Sequence, residues 1–521
     1  MSAQGRQMFL RATMIVTVSV LLSRVLGFFR EWALAAQVGS NALTDAYYAA
    51  FTIPDILNYL LAAGALSVTF VPVFLEYFMS RREEEAWRIF STVLTTMTLL
   101  LIALLIIAEI YAPVLTGWLA PGFPPEQQAL VTRLTRIMLP AQAFFFIGGV
   151  MSAVQYAQNR FLIPSLAPLI YNGMIILFGV LFSGRMGVEA FSWGVLAGSL
   201  IGNCLLQIYG AWCASARFRL ALDWSHPGFR RFLRMTWPIM LGFSVIIVDD
   251  WAMRWFGSYL AAASISWLGY GKQLMRIVVG VFGQAAGVAA FPQMARLVAQ
   301  QKWDEMRGSL ENALRHVILT VVPASLLLAL LSKPVVYILF SRTKMGAGDI
   351  EQTASVMLIF LIGAFAWAAQ GIVGRGFYAL GDTLTPTIVG SGLTLLTLPL
   401  YWFGAHHHGH LGLAAASTIA VLIYTLGLWI VLYRRLKMSL APVFNYLLRT
   451  ATASSIAAVA AGVALWALDQ QISWRSFTGA AAQIAVAGMV FTVAFLASAK
   501  LLHVADWRDL RRLIPLRRRS A

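Results

Sequence analysis

The sequence predicts an all-α polytopic membrane protein of about fourteen transmembrane helices, with two parallel six-helix lobes around a central cavity and two extra C-terminal helices. Three observations support this fold class. The 521 residues are 59% hydrophobic and only 12% charged, whereas soluble domains carry about 25% charged residues. Apolar stretches long enough to cross a bilayer recur along the chain, and its two halves resemble each other at a fixed offset.

The predicted spans are helices. An α-helix needs about 20 apolar residues to cross a hydrocarbon core of about 30 Å, and the turn signals are too widely spaced for membrane-barrel strands. We place the spans at 12–38, 44–78, 87–112, 128–158, 163–183, 187–213, 236–257, 263–298, 310–331, 352–379, 384–404, 410–434, 446–468 and 478–502. No cleavable signal peptide is expected, because the first apolar stretch is too long and lacks a small-residue cleavage site.

Basic residues separate between alternate loops and predict the orientation. One set of loops holds only Arg185, Lys333, Arg342, Lys344 and Arg475, and the other set holds nearly all the rest. Because cytoplasmic loops are enriched in Lys and Arg, both termini are predicted to be cytoplasmic, which requires an even number of spans. We favour fourteen over the alternative of about twelve. The net charge of +17 then reflects membrane topology and contact with anionic lipids, and no nucleic-acid partner is expected.

An internal repeat divides the chain into domains. Matching residues recur at an offset close to 221 positions: Tyr156, Pro164, Phe70, Pro72 and Pro113 in the first copy, and Tyr378, Pro386, Phe291, Pro292 and Pro334 in the second. The repeat holds six spans, so the two copies cross the membrane in the same sense. The predicted domains are an N-lobe at 1–215, a basic cytoplasmic linker at 216–235, a C-lobe at 236–437, and the last two spans with a basic tail at 438–521.

Ionisable side chains inside apolar spans are costly and indicate functional sites. The first span contains Arg24, Arg30 and Glu31, and the spacing of Arg24 and Glu31 places them on one helix face, where they can pair loosely. We expect both arginines to contact substrate. The alternatives are a structural helix-packing pair for Arg24 and an interfacial, snorkelling side chain for Arg30.

The second lobe supplies further charges. The seventh span contains Asp250 and Arg254, and the eighth contains Lys272 and Arg276, each pair four residues apart. Span one corresponds to span seven in the repeat, and span two to span eight. The cations of both lobes are therefore predicted to line one central cavity. Such a cavity suits a phosphate-bearing substrate, because arginine and lysine bind phosphate oxygens. Asp250 and Arg254 are interpreted as a structural pair or as part of an ion-coupling site.

Other patterns exclude several classes of function. The histidines at 406–408 and 410 lie in a predicted short loop without carboxylates or cysteines, so no metal site is expected. Cys204 and Cys213 lie nine positions apart on one predicted helix, about 13 Å along its axis, and cannot form a disulfide. No phosphate-binding loop or hydrolytic constellation is present. We therefore expect no enzyme and no cofactor, and transport driven by Na⁺ or another ion gradient, the membrane potential or the substrate gradient.

At these positions the sequence resembles the MurJ/MviN family of lipid II flippases, within the multidrug/oligosaccharidyl-lipid/polysaccharide exporter superfamily. The most specific match is the opening Ser23, Arg24, Val25, Leu26, Gly27 and Phe28. Further matches are Thr44, Asp45, Ala46 and Tyr47, residues 64–67, Asn159, Arg160, Phe161, Pro164, Ala167, Pro168, Asn172, and residues 375–379, 381–383 and 385–386.

The resemblance implies an alternating-access transporter of the bacterial inner membrane that moves undecaprenyl-pyrophosphate-linked peptidoglycan precursor, lipid II, from the inner to the outer leaflet. It implies membrane lipids and cell-wall synthesis enzymes as further partners, and a role in peptidoglycan biosynthesis, cell wall biogenesis and cell shape. The alternatives are an ion-coupled exporter of another polyprenyl-linked polysaccharide precursor or of a drug, and a non-transporting scaffold for envelope synthesis. The glycan cargo and the coupling ion are left open.

Some of the family's site residues are present at the matching positions of this sequence, and others are replaced. Arg24 and Arg30 match cavity arginines of the family, and Asp45 matches an acidic position. The resemblance therefore implies that Asp45, together with Asn58 and Gln273, takes part in substrate binding. Asn58 and Tyr59 stand where the family usually has a basic pair, and Ala63 where it has Glu.

The second lobe also differs from the family at its site residues. Gln273 aligns with a cavity arginine of the family, although Lys272 and Arg276 restore positive charge nearby. Asp250 and Thr394 are the expected ion-coupling residues, by similarity to a sodium site in some family members. The departures favour a divergent member of the family.

Overall fold

Helices form every regular element of the chain that the computed structural model describes, namely residues 3–61, 69–241 and 245–504. This is the arrangement that lets a chain in lipid satisfy its backbone groups internally. The α-helices are α1 Ala3–Gln37, α2 Ala42–Ala50, α3 Thr52–Leu61, α4 Val71–Met79, α5 Glu83–Leu119, α6 Pro125–Met138, α7 Ala141–Ala157, α8 Leu162–Met186, α9 Glu189–Gly198, α10 Leu206–Cys213, α11 Pro227–Leu241, α12 Val245–Gly257, α13 Ser264–Val278, α14 Gln284–Ala299, α15 Trp303–Leu330, α16 Ser332–Phe340, α17 Ala347–Ile362, α18 Ala364–Ala379, α19 Leu384–Arg435, α20 Ala441–Asp469 and α21 Phe477–Leu501.

The polytopic helical fold class is confirmed. Among the described residues, eight helices are long and apolar enough to cross a membrane, or nine if α17 and α18, which meet at 43°, form one bent span. The number of fourteen spans stays a prediction. Two predicted spans are interrupted within the described residues: the span at 44–78 at Phe51, between α2 and α3, and the span at 128–158 at Pro140, between α6 and α7, although Pro125–Ala157 still counts as one of the eight. Residues 62–68 of the first span lie outside the described residues.

The chain forms two compact units. Unit 1 comprises Met1–Phe243, Asp250–Ser266 and Thr343–Met345, and unit 2 comprises Ser244–Asp249, Trp267–Arg342 and Gly346–Ala521. In unit 1, α8 packs against α1 and α9, and in unit 2, α20 packs against α21 and α15. Unit 1 therefore contains the predicted linker, together with three short segments that the sequence assigned to the second lobe: 236–243, 250–266 and 343–345.

The predicted repeat recurs in the backbone. The 37-residue α5 has its counterpart in α15 followed by α16, and α8 corresponds to the first half of α19. Residues in the left-handed region also recur 220 to 222 positions apart: Arg81 with Gln301, Asn159 with Gly381, Gly187 with Gly409, and Ser215 with Lys437. The two copies thus share both their helices and their turns, which confirms the repeat seen in the sequence.

Gly409 corrects the prediction for the histidine tract. Helical backbone continues through His406, His407 and His408 and is interrupted at Gly409, where φ is 58° and ψ is −137°. Gly187 at the end of α8 has the same angles, which only glycine adopts readily. The tract therefore forms the last turn of a helix, and the loop predicted between spans at 404–410 is reduced to a break at Gly409.

Within the described residues, π-helical segments lie at Ser199–Leu205, between α9 and α10, and at Val279–Gly283, between α13 and α14. The first packs closely against α7. A Cβ atom at Gly148 would overlap the backbone oxygen of Asn203. This contact requires glycine because of the close approach of two backbones.

We expect Gly148→Ala to lower the free energy of unfolding by about 1–3 kcal/mol, the typical cost of overpacking. Thermal unfolding in detergent micelles measures the effect. Gly173→Ala on α8 is the matched control, since a Cβ there meets no atom within 4 Å, and alanine is favoured over glycine in a helix by roughly 0.5–1 kcal/mol. Equal melting temperatures for the two variants would contradict the account of this contact.

Candidate functional site

Arg30 is the centre of a polar network in unit 1. Its Nε and Nη2 donate to Oε1 of Glu31 at 3.2 and 2.6 Å, and its Nη1 donates to Oδ1 of Asn172 on α8 at 3.3 Å. The Tyr48 hydroxyl on α2 donates to Oε2 of Glu31. The side chain of Glu31 is 7% exposed and that of Arg30 is 27% exposed. The guanidinium is therefore held by Glu31 beside it and by Asn172 on α8, while the side chain as a whole is not fully enclosed.

Arg24 lies almost two turns earlier on α1 and is half-buried, and Gly27 between it and Arg30 is buried. The sequence suggested that Glu31 pairs with Arg24. Both carboxylate oxygens of Glu31 are instead occupied by Arg30 and Tyr48. Glu31 is thus the ion-pair partner of Arg30, the residue next to it.

Asp45 on α2 caps the start of α13. Its Oδ2 accepts a hydrogen bond from the Ala263 amide and its Oδ1 accepts one from the Ser266 amide, each at 2.7 Å. The residue is 2% exposed. The first amides of a helix lack internal partners and carry partial positive charge, so a buried carboxylate is stabilised there. Both oxygens of Asp45, which the sequence assigned to substrate binding, are engaged in holding this helix end.

Asp249 and Lys272 form a buried ion pair in unit 2, with side chains 1% and 3% exposed. The Tyr401 hydroxyl on α19 donates to Oδ1 of Asp249 at 2.5 Å. The Lys272 ammonium lies 5.0 Å from the ring centroid of Trp367. The free energy needed to remove two charges from water is offset only when the charges pair closely and form further hydrogen bonds. Lys272, expected to bind substrate, is therefore neutralised inside its own unit.

The remaining predicted residues of the second lobe are less enclosed. Gln273 and Arg276 flank Lys272 on α13 and are half-buried, as is Asp250 on α12. Thr394 on α19 is buried, and its hydroxyl donates to the carbonyl of Gly390 at 2.7 Å. Its oxygen keeps lone pairs for a cation, although its proton is used within the helix.

Asn58, where the family resemblance implies a basic residue, donates from Nδ2 to Oε1 of Gln142 on α7 at 3.0 Å. Position 63, the second departure in this region, lies outside the described residues. Asn58 thus carries no charge, and its side chain is hydrogen-bonded to a neighbouring helix.

Arg254 on α12 pairs with Asp55 on α3, with Nη1 and Oδ2 2.8 Å apart and side chains 15% and 43% exposed. The sequence had paired Arg254 with Asp250, one turn away. Asp55 was missed, although an aspartate inside a predicted span is the same signal that identified the other charges. No comparable signal singled out Tyr48 or Tyr401, because tyrosine is common in apolar helices.

Comparison with known proteins gives one consistent result. The family model described as MurJ, lipid II flippase, matches residues 34–480. A probable lipid II flippase MurJ of Vibrio cholerae is 27% identical over 496 residues, covering 92% of this chain and 93% of the relative. The probable lipid II flippase MurJ of Buchnera aphidicola subsp. Acyrthosiphon pisum is 29% identical over 435 residues, covering 83% and 85%.

The fold is also similar to solved structures. The structure of lipid II flippase MurJ in an inward closed conformation aligns with a TM-score of 0.78 at 20% identity, covering 94% of this chain and all of that one. A MATE transporter of Vibrio cholerae, VcmN, aligns with a TM-score of 0.60 at 15% identity, covering 84% of this chain and 98% of the other. At these identities the likeness concerns the fold.

We expect Asp249→Asn alone to destabilise the protein by about 3–5 kcal/mol, because it removes the carboxylate that pairs with the buried ammonium of Lys272. The double variant Asp249→Asn with Lys272→Met removes both charges and is expected to recover most of this loss. Thermal unfolding in detergent compares the two variants.

The control is Asp304→Asn, which breaks the pair between Arg307 and Asp304, whose side chain is 94% exposed. An exposed pair contributes about 0–1 kcal/mol, so little change is expected. A double variant that melts no higher than Asp249→Asn would contradict a structural role for the buried pair.

Proposed function

The chain belongs to the MurJ family of lipid II flippases, and from this premise we propose that it is itself a lipid II flippase. It moves the undecaprenyl-pyrophosphate-linked precursor from the inner to the outer leaflet of a bacterial inner membrane by alternating access. The observation that carries the proposal is the family match across residues 34–480. Relatives with this name align over more than 80% of their own length, so the likeness extends over nearly the whole transporter.

The Arg30 network supports recognition of a pyrophosphate headgroup. A guanidinium offers a planar fork that matches phosphate oxygens and stays charged at any physiological pH. Glu31 and Asn172 fix the orientation of this fork, so less conformational entropy is lost on binding. Arg24 adds a second cation on the same helix. We propose Arg30 as the principal phosphate contact and Arg24 as its companion.

The rest of the proposal follows the orientation indicated by the basic loops. Both termini lie in the cytoplasm. No cofactor is needed, and Na⁺ or the membrane potential supplies the driving force. Asp250 and Thr394 are the candidate ion-coupling residues. Arg276 and Gln273 complete the substrate contacts in the second lobe, and enzymes of cell-wall synthesis are the expected protein partners.

A related cargo is the second candidate, and a specific observation favours it. Asn58 and Gln273 are neutral where family members usually have basic residues, and Asn58 is bonded to Gln142. Fewer cations suit a smaller or less charged headgroup than that of lipid II. The alternative substrate is therefore another polyprenyl-linked glycan precursor.

Complementation of a strain depleted of its own lipid II flippase tests the proposal. Wild-type chain is expected to restore growth, and Arg30→Ala to fail at equal membrane levels. Asn172→Ala is expected to support growth only partly, since it loosens the fork without removing the charge. Arg185→Ala serves as the control. It changes an exposed arginine in the last turn of α8, and cells that carry it are expected to grow normally. Wild-type chain that is abundant in the membrane but restores no growth would favour the second cargo.

A further inference from the structure

The segment between α10 and α11 lies across the beginning of α5, and we call residues 216–224 the linker segment. Its residues 216–223 have no regular secondary structure. The Arg219 amide donates to the Ser91 hydroxyl at 3.1 Å, and Asp223 pairs with Arg88 at 2.9 Å. The Trp224 indole donates to Thr96 at 3.1 Å. The linker segment is therefore fixed to the first turns of α5, within unit 1.

The length of α5 indicates the depth of these contacts. A helix of 37 residues is about 55 Å long, whereas the hydrocarbon core is only about 30 Å thick. The first turns contain Glu83, Glu84, Glu85 and Arg88, and the apolar run begins near Met97. The turns that bind the linker segment thus lie at the level of the lipid headgroups. In the orientation of the proposed function, this is the cytoplasmic side.

The linker segment exposes a row of apolar side chains at every second position: Phe218, Leu220, Leu222 and Trp224. Leu220 is 83% exposed and Trp224 is 61% exposed. Such a row is unfavourable in water, but it is stabilised where it reaches the acyl boundary of a bilayer.

Arginines lie between these apolar residues. Arg217 and Arg219 line a cavity of about 420 Å³ together with Arg88, Ser91 and Glu84. In the described part of the chain neither Arg217 nor Arg219 has an ionic partner for its side chain. The cavity therefore contains two arginines that form no ion pair among the described residues, beside an exposed apolar row.

The other charges in and next to the cavity are largely paired. Asp223 accepts a hydrogen bond from the Ser225 hydroxyl and lies beside Arg88, and these contacts hold its pKa below the usual range. The hydrogen bond from Arg82 likewise lowers the pKa of Glu85, which also lines the cavity. Both carboxylates are therefore charged at neutral pH and engaged by arginines. Glu84 is the remaining carboxylate, so the two free arginines leave an excess of positive charge.

We propose that the linker segment and this cavity form a binding site for an anionic phospholipid. Arg217 and Arg219 bind the phosphodiester, since arginine presents a fork to phosphate oxygens, and the apolar row lies against the acyl chains. The excess positive charge selects an anionic lipid such as phosphatidylglycerol over a zwitterionic one. Only the choice of leaflet rests on the proposed function, because the site itself requires no lipid II.

Native mass spectrometry of the purified protein, titrated with phosphatidylglycerol or phosphatidylethanolamine, tests the charged part of the site. The double variant Arg217→Gln with Arg219→Gln is expected to bind phosphatidylglycerol about tenfold more weakly or worse, given about 1 kcal/mol per basic residue at an anionic surface. Arg185→Gln, an exposed arginine of the opposite set of loops, is expected to bind as wild type. Unchanged binding by the double variant, equal binding of both lipids by wild type, or full competition by soluble glycerol phosphate would overturn the proposal.

A second measurement tests the apolar row. A bimane label on Leu220→Cys, in a Cys213→Ser background that leaves the buried Cys204, is read in nanodiscs containing brominated phosphatidylglycerol. Strong quenching is expected at this position and little at Asp304→Cys, whose native side chain is 94% exposed. Equal quenching at the two positions would contradict insertion of the row. Neither readout depends on transport, so loss of flippase activity and loss of this site are distinguishable.

Discussion

The cost of placing charge among apolar helices is the constraint on which this structure depends. A carboxylate or ammonium group in lipid is unstable unless a partner compensates it. Three acidic residues meet this requirement in three ways. Glu31 accepts hydrogen bonds from an arginine and a tyrosine, Asp45 binds the amides of a helix end, and Asp249 binds a lysine and a tyrosine. Each of these interactions also fixes the position of a helix that supplies a partner group.

Exposure then separates the cations that are structural from those that are available. The side chain of Lys272 is 3% exposed, and the carboxylate of Asp249 already balances its charge. The side chain of Arg30 is 27% exposed and its carboxylate partner is beside it on the same helix, so Arg30 is the more accessible of the two cations. Under the proposed function, recognition of phosphate therefore depends more on the arginines of unit 1 than on Lys272. The neutral Asn58 and Gln273 make this dependence stronger.

Much of the fold was predictable from the sequence, because hydrophobic length and glycine chemistry are local properties. The offset between the halves anticipated the recurrence of α8 in α19, and the span boundaries near 404 and 410 anticipated the break at Gly409. The broken span at 44–78 was not predicted, since hydropathy does not distinguish one long helix from several short ones.

The candidate site was predictable only as a set of charges, because pairing depends on how each helix is rotated. Asp249 and Asp250 are adjacent in sequence, yet only Asp249 is buried with Lys272. Arg30 and Asn172 are 142 positions apart, and no local pattern relates them. Asp55 was missed because the nearest opposite charge in sequence, Asp250, was assumed to be the partner of Arg254.

The affinity of the purified protein for lipid II tests the central claim most directly. Microscale thermophoresis in detergent can compare wild type, Arg30→Ala, and the double variant of Asp249→Asn with Lys272→Met. The account predicts binding at least about tenfold weaker for Arg30→Ala, since a hydrogen bond to a charged group is worth about 1.5–3 kcal/mol, and affinity near wild type for the double variant. The reverse pattern, with Arg30→Ala unchanged and the double variant impaired, would contradict it.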